Sequence, residues 1–469
     1  MLTSLLIKNA EIYGVGCGDI RCENGIISAI HSQLTANKND LLLDAKGNAL
    51  LPGLHDHHMH LYALAATQSS IPCGPPWVNN SQEFAAALQA HHQDKAWIRG
   101  VQYHESVAGE LDRYALDKIV KHKPLRIQHR SGKMWVVNSV AAEALELDSA
   151  TTRRQVGIER DSQGIATGRL FRLDSWMREK LSLQEKIDLS IVSRQLASVG
   201  VTGFTDTTHS NNNDVLQKFS RACADGELLQ RVWLMGGLNL STSQHPFIQL
   251  GQHKIMLDED RLPELDALEN QIRMAHQHNR GVAFHCVTET ELVFALTALG
   301  TAGKHPQDRI EHASLTPAAT FPLLLNSGVT VVTQPNFIRE RGEQYLQNVE
   351  RENHAILYRG KSLLDAGIPL GGGTDAPYGE PNPWFAMAAA VLRATPQGII
   401  IGENEKLTPD EALALFISPA QLPGGGPRQL MVGAEADFCL LDRPWHNARN
   451  MLAEVSVVAT IRAGSLIYP

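Results

Sequence analysis

The sequence predicts a (β/α)8 barrel carrying a small β-sandwich assembled from the two ends of the chain, with an insertion after the first barrel strand. The first observation is a phrase that recurs through the middle: a helical apolar pattern, a glycine, then a short apolar run ending in a polar residue. It stands in "LASVGVTGFTD", "AHQHNRGVAFH", "LLLNSGVTVVTQP" and "LLDAGIPLGGGTD". Gly200, Gly281, Gly328 and Gly367 are placed to take the left-handed conformation that ends a helix, and each following run reads as a buried parallel strand. The second is the strand count. Adding "LQRVWLMGG", "HKIMLD", "DRIEHASL" and "LLPGLHDHHMH" brings it to about eight, the number that closes a barrel. A doubly wound open sheet is the competitor, but no GxGxxG follows any strand.

The third observation lies at the ends. Residues 1–50 hold short β-like runs broken by turn signals, "SLLIKN", "GDIRCENGIISAI" with Asn24-Gly25 at its centre, and "DLLLDAKGNALLPG". Residues 421–469 repeat the style in "GAEADFCLLDRP" and in "VVATIRAGSLIYP", which turns at Ala463-Gly464. Neither end is large enough to bury a core, so the two are expected to pair into one sandwich. The barrel then occupies residues 51–420. Residues 62–190 break its rhythm and read as the insertion, expected to shape a substrate pocket.

At 469 residues, 43% of them hydrophobic and 20% charged, the composition is that of an ordinary globular enzyme of more than one unit. A net charge of -8 argues against a nucleic-acid partner. Six cysteines without a CxxC pair indicate neither a thiolate metal site nor a disulfide framework and fit a reducing compartment. No stretch reaches the ~18 apolar residues of a membrane span. The expectation is a cytoplasmic protein that acts on a small molecule, with a homo-oligomer compatible with everything read so far.

The chemistry is expected where barrel strands end at their C-terminal side. "PGLHDHHMHL" places four histidines in ten positions there. His58 and His60, two apart, share one face of a strand and could close on a divalent ion; His55 and His57 face the other way. A polar strand end with solvated imidazoles is the competing reading. Further on, "VAFHCV" ends in His285, "DRIEHASL" carries His312 and "LGGGTDAP" carries Asp375. One such histidine is commonly just a hydrogen-bonding group; four imidazoles and a carboxylate, in order on separate strands, point to a metal centre. Lys254 in "QHKIMLD" joins them only if carbon dioxide carbamylates it into a carboxylate; otherwise it is a strand-end or surface lysine. Cys286 should point away from the site by alternation, as a core thiol.

These stretches resemble the amidohydrolase superfamily, and within it the branch of the N-substituted formamide deformylases. "WIRGVQY", "SGKMWVVNS", "DSQGIATGRLFR", "GVTGFTD", "LTPDEALALF" and "GAEADFCLLD" stand in that branch's order, so the likeness covers nearly the whole chain. The resemblance implies one or two divalent ions per chain, usually zinc. It makes His58 and His60 ligands of a buried ion, Lys254 the carbamylated bridge, His285 and His312 ligands of a second ion, and Asp375 a ligand and the proton carrier. Two positions depart from the branch: Lys133 stands where it usually has His, and Thr288-Glu289 where it has Gly-Asp. A different substrate is therefore expected.

The activity so implied is hydrolysis of a C–N bond in a small amide, formamide, urea-like or cyclic amide compound. A mononuclear deaminase of an amino-heterocycle, which commonly has a Glu close after the fifth-strand His and for which Glu289 stands near His285, and a non-enzymatic scaffold are the alternatives. Arg130, Trp135, Asn138, Arg169 and Gln334 are candidate substrate contacts, for each of which a structural hydrogen bond or packing role is an equal reading; Asn138 can also cap a helix.

Overall fold

The computed structural model describes residues 4–75, 77–90, 96–181 and 187–469. The chain divides into two compact units, residues 1–61 with 189–469, and Tyr62–Asp188.

The first unit holds eight parallel strands in sequential order. They are β1 (Leu54–Met59), β2 (Val201–Asp206), β3 (Arg231–Gly236), β4 (Ile248–Met256), β5 (Val282–Cys286), β6 (Arg309–His312), β7 (Thr330–Thr333) and β8 (Leu370–Gly372). Every residue of β1, β2, β6, β7 and β8 is buried, as strands covered on both faces must be. The ring closes beyond β8, where Met59 bridges Ala376, Asp375 N donates to His58 O at 2.7 Å and His60 N to Ala376 O at 2.8 Å. A Cβ on Gly373 would sit 2.5 Å from His58 Cβ, so only glycine lets the last strand approach the first this closely.

The intervening helices bury one stripe each. Asn213–Ala224 buries Leu216, Phe219 and Ala222 and starts at Asn212, whose side chain accepts from Asp214 N and Val215 N. Leu265–Gln277 buries Leu268, Ile272 and Ala275. Gly200, Gly328 and Gly367 take positive φ as expected. Gly281 does not: Asn279, at φ 54°, makes that turn, since asparagine tolerates the left-handed region. Gly281 is needed for closeness, because a Cβ there would meet the Gln307 backbone at 2.6 Å.

The two chain ends form one hydrogen-bonded sheet, in which Ala49–Pro52 pairs antiparallel with Phe438–Leu441. Asn24 with Gly25 and Ala463 with Gly464 all adopt positive φ at its hairpins. Ile20 and Ile27 from one end pack in a single core with Phe438 and Ile461 from the other, and Ile26 bridges Glu435 between the two ends. The strand Ala49–Pro52 runs almost directly into β1, separated only by Gly53.

Tyr62–Asp188 has its own six-stranded sheet, ordered Ile158–Arg160, Ala166–Phe171, Met134–Val137, Leu125–His129, Ile98–Tyr103, Ile71–Pro72. Its cores gather around Phe84, Ile127 and Leu125 on one side and Trp135, Leu145 and Leu170 on the other. No helix among the described residues is long and apolar enough to cross a membrane.

Candidate metal centre

Strand alternation puts His58 and His60 on one side of the β1 segment. His55 and His57 lie on the other, where their Nε2 atoms meet the hydroxyls of Thr205 and Ser418, each at 3.0 Å. The solvated reading fails for this stretch, since His55, His57 and His58 are all buried. Burial pushes the His55 and His57 pKa values well down, so both are neutral structural groups.

Three imidazoles of the centre are held the same way. His58 Nδ1 lies 2.5 Å from Glu311 Oε2, His60 Nδ1 2.8 Å from Thr208 Oγ1, and His312 Nδ1 2.7 Å from Gln334 Oε1. An oxygen partner on Nδ1 leaves the Nε2 lone pair for a metal, the arrangement that ligating histidines use. His58 Nε2 is 3.5 Å and His60 Nε2 3.3 Å from Asp375 Oδ1. Donor atoms on a tetrahedral shell of ~2.0–2.1 Å radius stand ~3.3–3.4 Å apart. One donor atom each from His58, His312 and Asp375 lie within 4.8 Å of one another. The His312 ring is 4.7 Å from that of His58 and 4.6 Å from that of His285.

Alternation alone would send Glu311 and His312 to opposite sides. Both reach His58 because His312 has φ 70° and Ala313 φ 48°, a left-handed break that redirects the chain at the strand end. Asp375, at φ 55°, is turned in likewise.

Lys254 on β4 is 4% exposed, and its Nζ has no hydrogen-bond partner among the described residues. Burial lowers its pKa to about 8, while the charges of Glu311 and Asp375 act the other way. Asp375 Oδ1 is also buried without a completed hydrogen bond. Burial alone would raise the Asp375 carboxyl, but His58, His312 and His60 hold it well below the carboxylate range. Burial pushes His312 down to about 3. A buried amine without a hydrogen-bond partner, and a buried carboxylate whose Oδ1 has none, beside several imidazoles form a donor set that suits a divalent cation and leave polar atoms unsatisfied without one.

Glu311 was missed by the sequence reading, although "DRIEHASL" contains it. It is fully buried and accepts from Arg309 through Nε at 2.5 Å and Nη2 at 2.9 Å, besides bonding His58. Burial would raise its pKa; Arg309, Lys254 and His58 together hold it well below the usual range. The available signal was two charged residues, Arg309 and Glu311, alternating within a strand that must be buried.

Several expected substrate contacts are committed elsewhere. Gln334 holds the His312 ring and donates to Val332 O. Asn138 is wholly buried: its Oδ1 accepts from Leu125 N and Ala141 N, and its Nδ2 donates to Val120 O and Lys123 O. Trp135 is 4% exposed and donates Nε1–H to Asp174. Arg169 is spent on Leu111 O and Glu110. Arg130 stays half-buried just after Leu125–His129. Cys286 is buried, with its thiol pKa pushed well up. Glu289 is exposed at the start of the helix Glu289–Ala302.

A model of the amidohydrolase family matches residues 42–468. The chain is 25% identical to an N-substituted formamide deformylase of Arthrobacter pascens, over all of this chain and 98% of that one. Among solved structures it resembles an uncharacterised metal-dependent hydrolase of Pyrococcus horikoshii, with TM-score 0.74, 20% identity, and coverage of 94% of this chain and 98% of that one. It also resembles the N-isopropylammelide isopropylaminohydrolase of Burkholderia multivorans, with TM-score 0.56, 17% identity, and coverage of 100% and 98%.

Proposed function

The chain belongs to the amidohydrolase family, and on that premise we propose that it is a metal-dependent hydrolase cleaving a non-peptide C–N bond of a small amide, with N-substituted formamides the first class to try. In this reading His58 and His60 would hold one divalent ion, zinc by preference, and His285 and His312 a second; Lys254, as a carbamate, would join the ligand set, and Asp375 would be both ligand and proton carrier. The observation that supports it most is Lys254. A buried amine with no partner and a lowered pKa is neutral often enough for its lone pair to attack the carbon of CO2, forming an N–C bond and releasing one proton.

A divalent ion at such a centre supplies a water ionised near neutral pH and polarises the carbonyl to be attacked. The chain's own residues do the rest. Asp375, ionised at neutral pH, takes a proton on a carboxylate oxygen and returns it to the departing nitrogen, which is a poor leaving group until protonated. Glu311, Gln334 and Thr208 fix the imidazole rings through Nδ1, so no ring has to reorient as charge develops. The deaminase reading uses the same histidines and Asp375; Glu289, which it would add, is exposed at the start of its helix. Six cysteines without a CxxC pair support a reducing, cytoplasmic setting.

The test is a hydrolysis screen on metal-loaded protein with N-substituted formamides, N-acyl amino acids, ureas and aminopurines, alongside metal analysis. Amine release with about two ions per chain is expected. Ammonia release from aminopurines by protein carrying one ion would overturn the proposal in favour of a deaminase.

A further inference from the structure

We propose that His104, Glu105 and His129 form an additional site for a borderline first-row dication such as Zn2+ or Co2+, made wholly of residues in Tyr62–Asp188. Nothing in the sequence reading assigned a ligand to this segment. The strands Ile98–Tyr103 and Leu125–His129 are parallel neighbours, with Tyr103 opposite His129. His129 ends one strand and His104 follows the other, so both imidazoles emerge at the carboxyl ends of adjacent parallel strands, where open α/β sheets bind ligands. Glu105, the next residue, brings its Oε2 to 3.1 Å from His129 Nε2 and 3.7 Å from His104 Nε2. The three donor atoms lie within 4.8 Å of one another, and the two rings stack at 5.9 Å with 28° between their planes.

The separations bracket the ~3.3–3.4 Å between donors on a tetrahedral zinc shell. Each ring also has an oxygen on its far nitrogen: His104 Nδ1 is 2.9 Å from Ser106 Oγ, and His129 Nδ1 is 2.7 Å from Ser131 Oγ. The same His-x-Ser arrangement thus occurs twice, with a serine hydroxyl beside Nδ1 and Nε2 turned to the carboxylate. The side chains of His104, Glu105 and His129 are 20%, 42% and 16% exposed, which gives an ion an entry path. Two imidazoles with one carboxylate favour Zn2+ or Co2+ over the all-oxygen sites that Mg2+ and Ca2+ prefer.

The competing arrangement is a metal-free ion pair. The backbone N–H groups of Ser106 and Ser131 donate to the same Nδ1 atoms at 3.2 Å, which puts the metal-free ring protons on Nε2, bonded to Glu105; an ion on Nε2 would move each proton to Nδ1, where the serine hydroxyl accepts it. Metal content separates the two. The full-length protein and its His104→Asn/His129→Asn variant are equilibrated with excess Zn2+ or Co2+, passed through gel filtration and analysed, with thermal unfolding as the check of folding. The variant is expected to hold one ion fewer per chain. The wild-type Co2+ sample should show visible d–d absorption of a low-symmetry site that the variant lacks. Ser106→Ala/Ser131→Ala, which keeps all three donors, should weaken binding of that ion by about 10–100-fold. A barrel that bound nothing would lower both counts and leave the difference intact, so failure of the proposed function is distinguishable. Equal metal content in the two chains overturns the site. Should the double variant not fold, the serine pair decides alone, and unchanged Co2+ affinity there refutes the site.

Discussion

Glu311→Gln perturbs the centre at a residue that touches no ion. Both partners of the Arg309–Glu311 pair are fully buried, so solvent does not screen the loss. Glutamine keeps the shape but has one acceptor oxygen where the carboxylate serves His58 Nδ1 and two Arg309 nitrogens. Its amide NH2 then faces a donor. Removing one partner of a buried ion pair costs about 3–5 kcal/mol because the remaining charge stays buried, and urea unfolding of chelator-treated protein reads that directly. Loosening His58 should also weaken metal binding by about 10–100-fold, as loss of a hydrogen bond to a ligating imidazole does. That equals ~1.4–2.7 kcal/mol, measured by chelator competition. Metal affinity within about twofold of wild type, with stability changed by less than ~0.5 kcal/mol, would refute the role given to Glu311.

Asp375→Asn should keep most of the metal yet lower kcat by roughly 100-fold or more, without recovery at any pH; near-normal turnover in a metal-replete variant would remove Asp375 as proton carrier. Lys254→Ala should lose one ion and activity, and short carboxylic acids should restore part of both. Unchanged metal content would make Lys254 a bystander. The metal-free protein should lose stability as pH falls below ~6.5, the ordinary histidine value. His312 is held neutral by burial down to about 3, so the unfolded chain binds its proton first, and stability is lost progressively between those limits by up to ~1.4 kcal/mol per pH unit for this group. His58, also lowered by burial, acts in the same direction. Denaturation curves from pH 7.5 to 4.5 that show a flat profile would contradict it.

How much could be read in advance depended on distance along the chain. The barrel was legible because each helix–turn–strand unit writes its own period locally, and the Asn24-Gly25 and Ala463-Gly464 turns need only their own φ angles. Even there, the turn ahead of β5 passed from Gly281 to Asn279, since both residue types can make it and only the packed backbone chooses.

The candidate ligands were legible for a related reason: His58, His285, His312 and Asp375 stand at strand ends, and residue type with position is a local fact. Their partners were not. Glu311 meets His58 across 253 positions, through a barrel closed at Gly373 and a left-handed turn at His312 that no period reports. Gln334, Asn138, Trp135 and Arg169 look like substrate contacts in sequence because polar and aromatic groups there have two uses. The hydrogen bonds each of them makes were not legible, because strand pairing and burial decide which donor meets which acceptor. The sequence by itself thus determined the fold class and the identity of the candidate donors. Only the tertiary structure decided which nitrogen of the His58, His60 and His312 rings takes an oxygen partner and which residues hold those rings, because those depend on contacts between segments far apart in the chain.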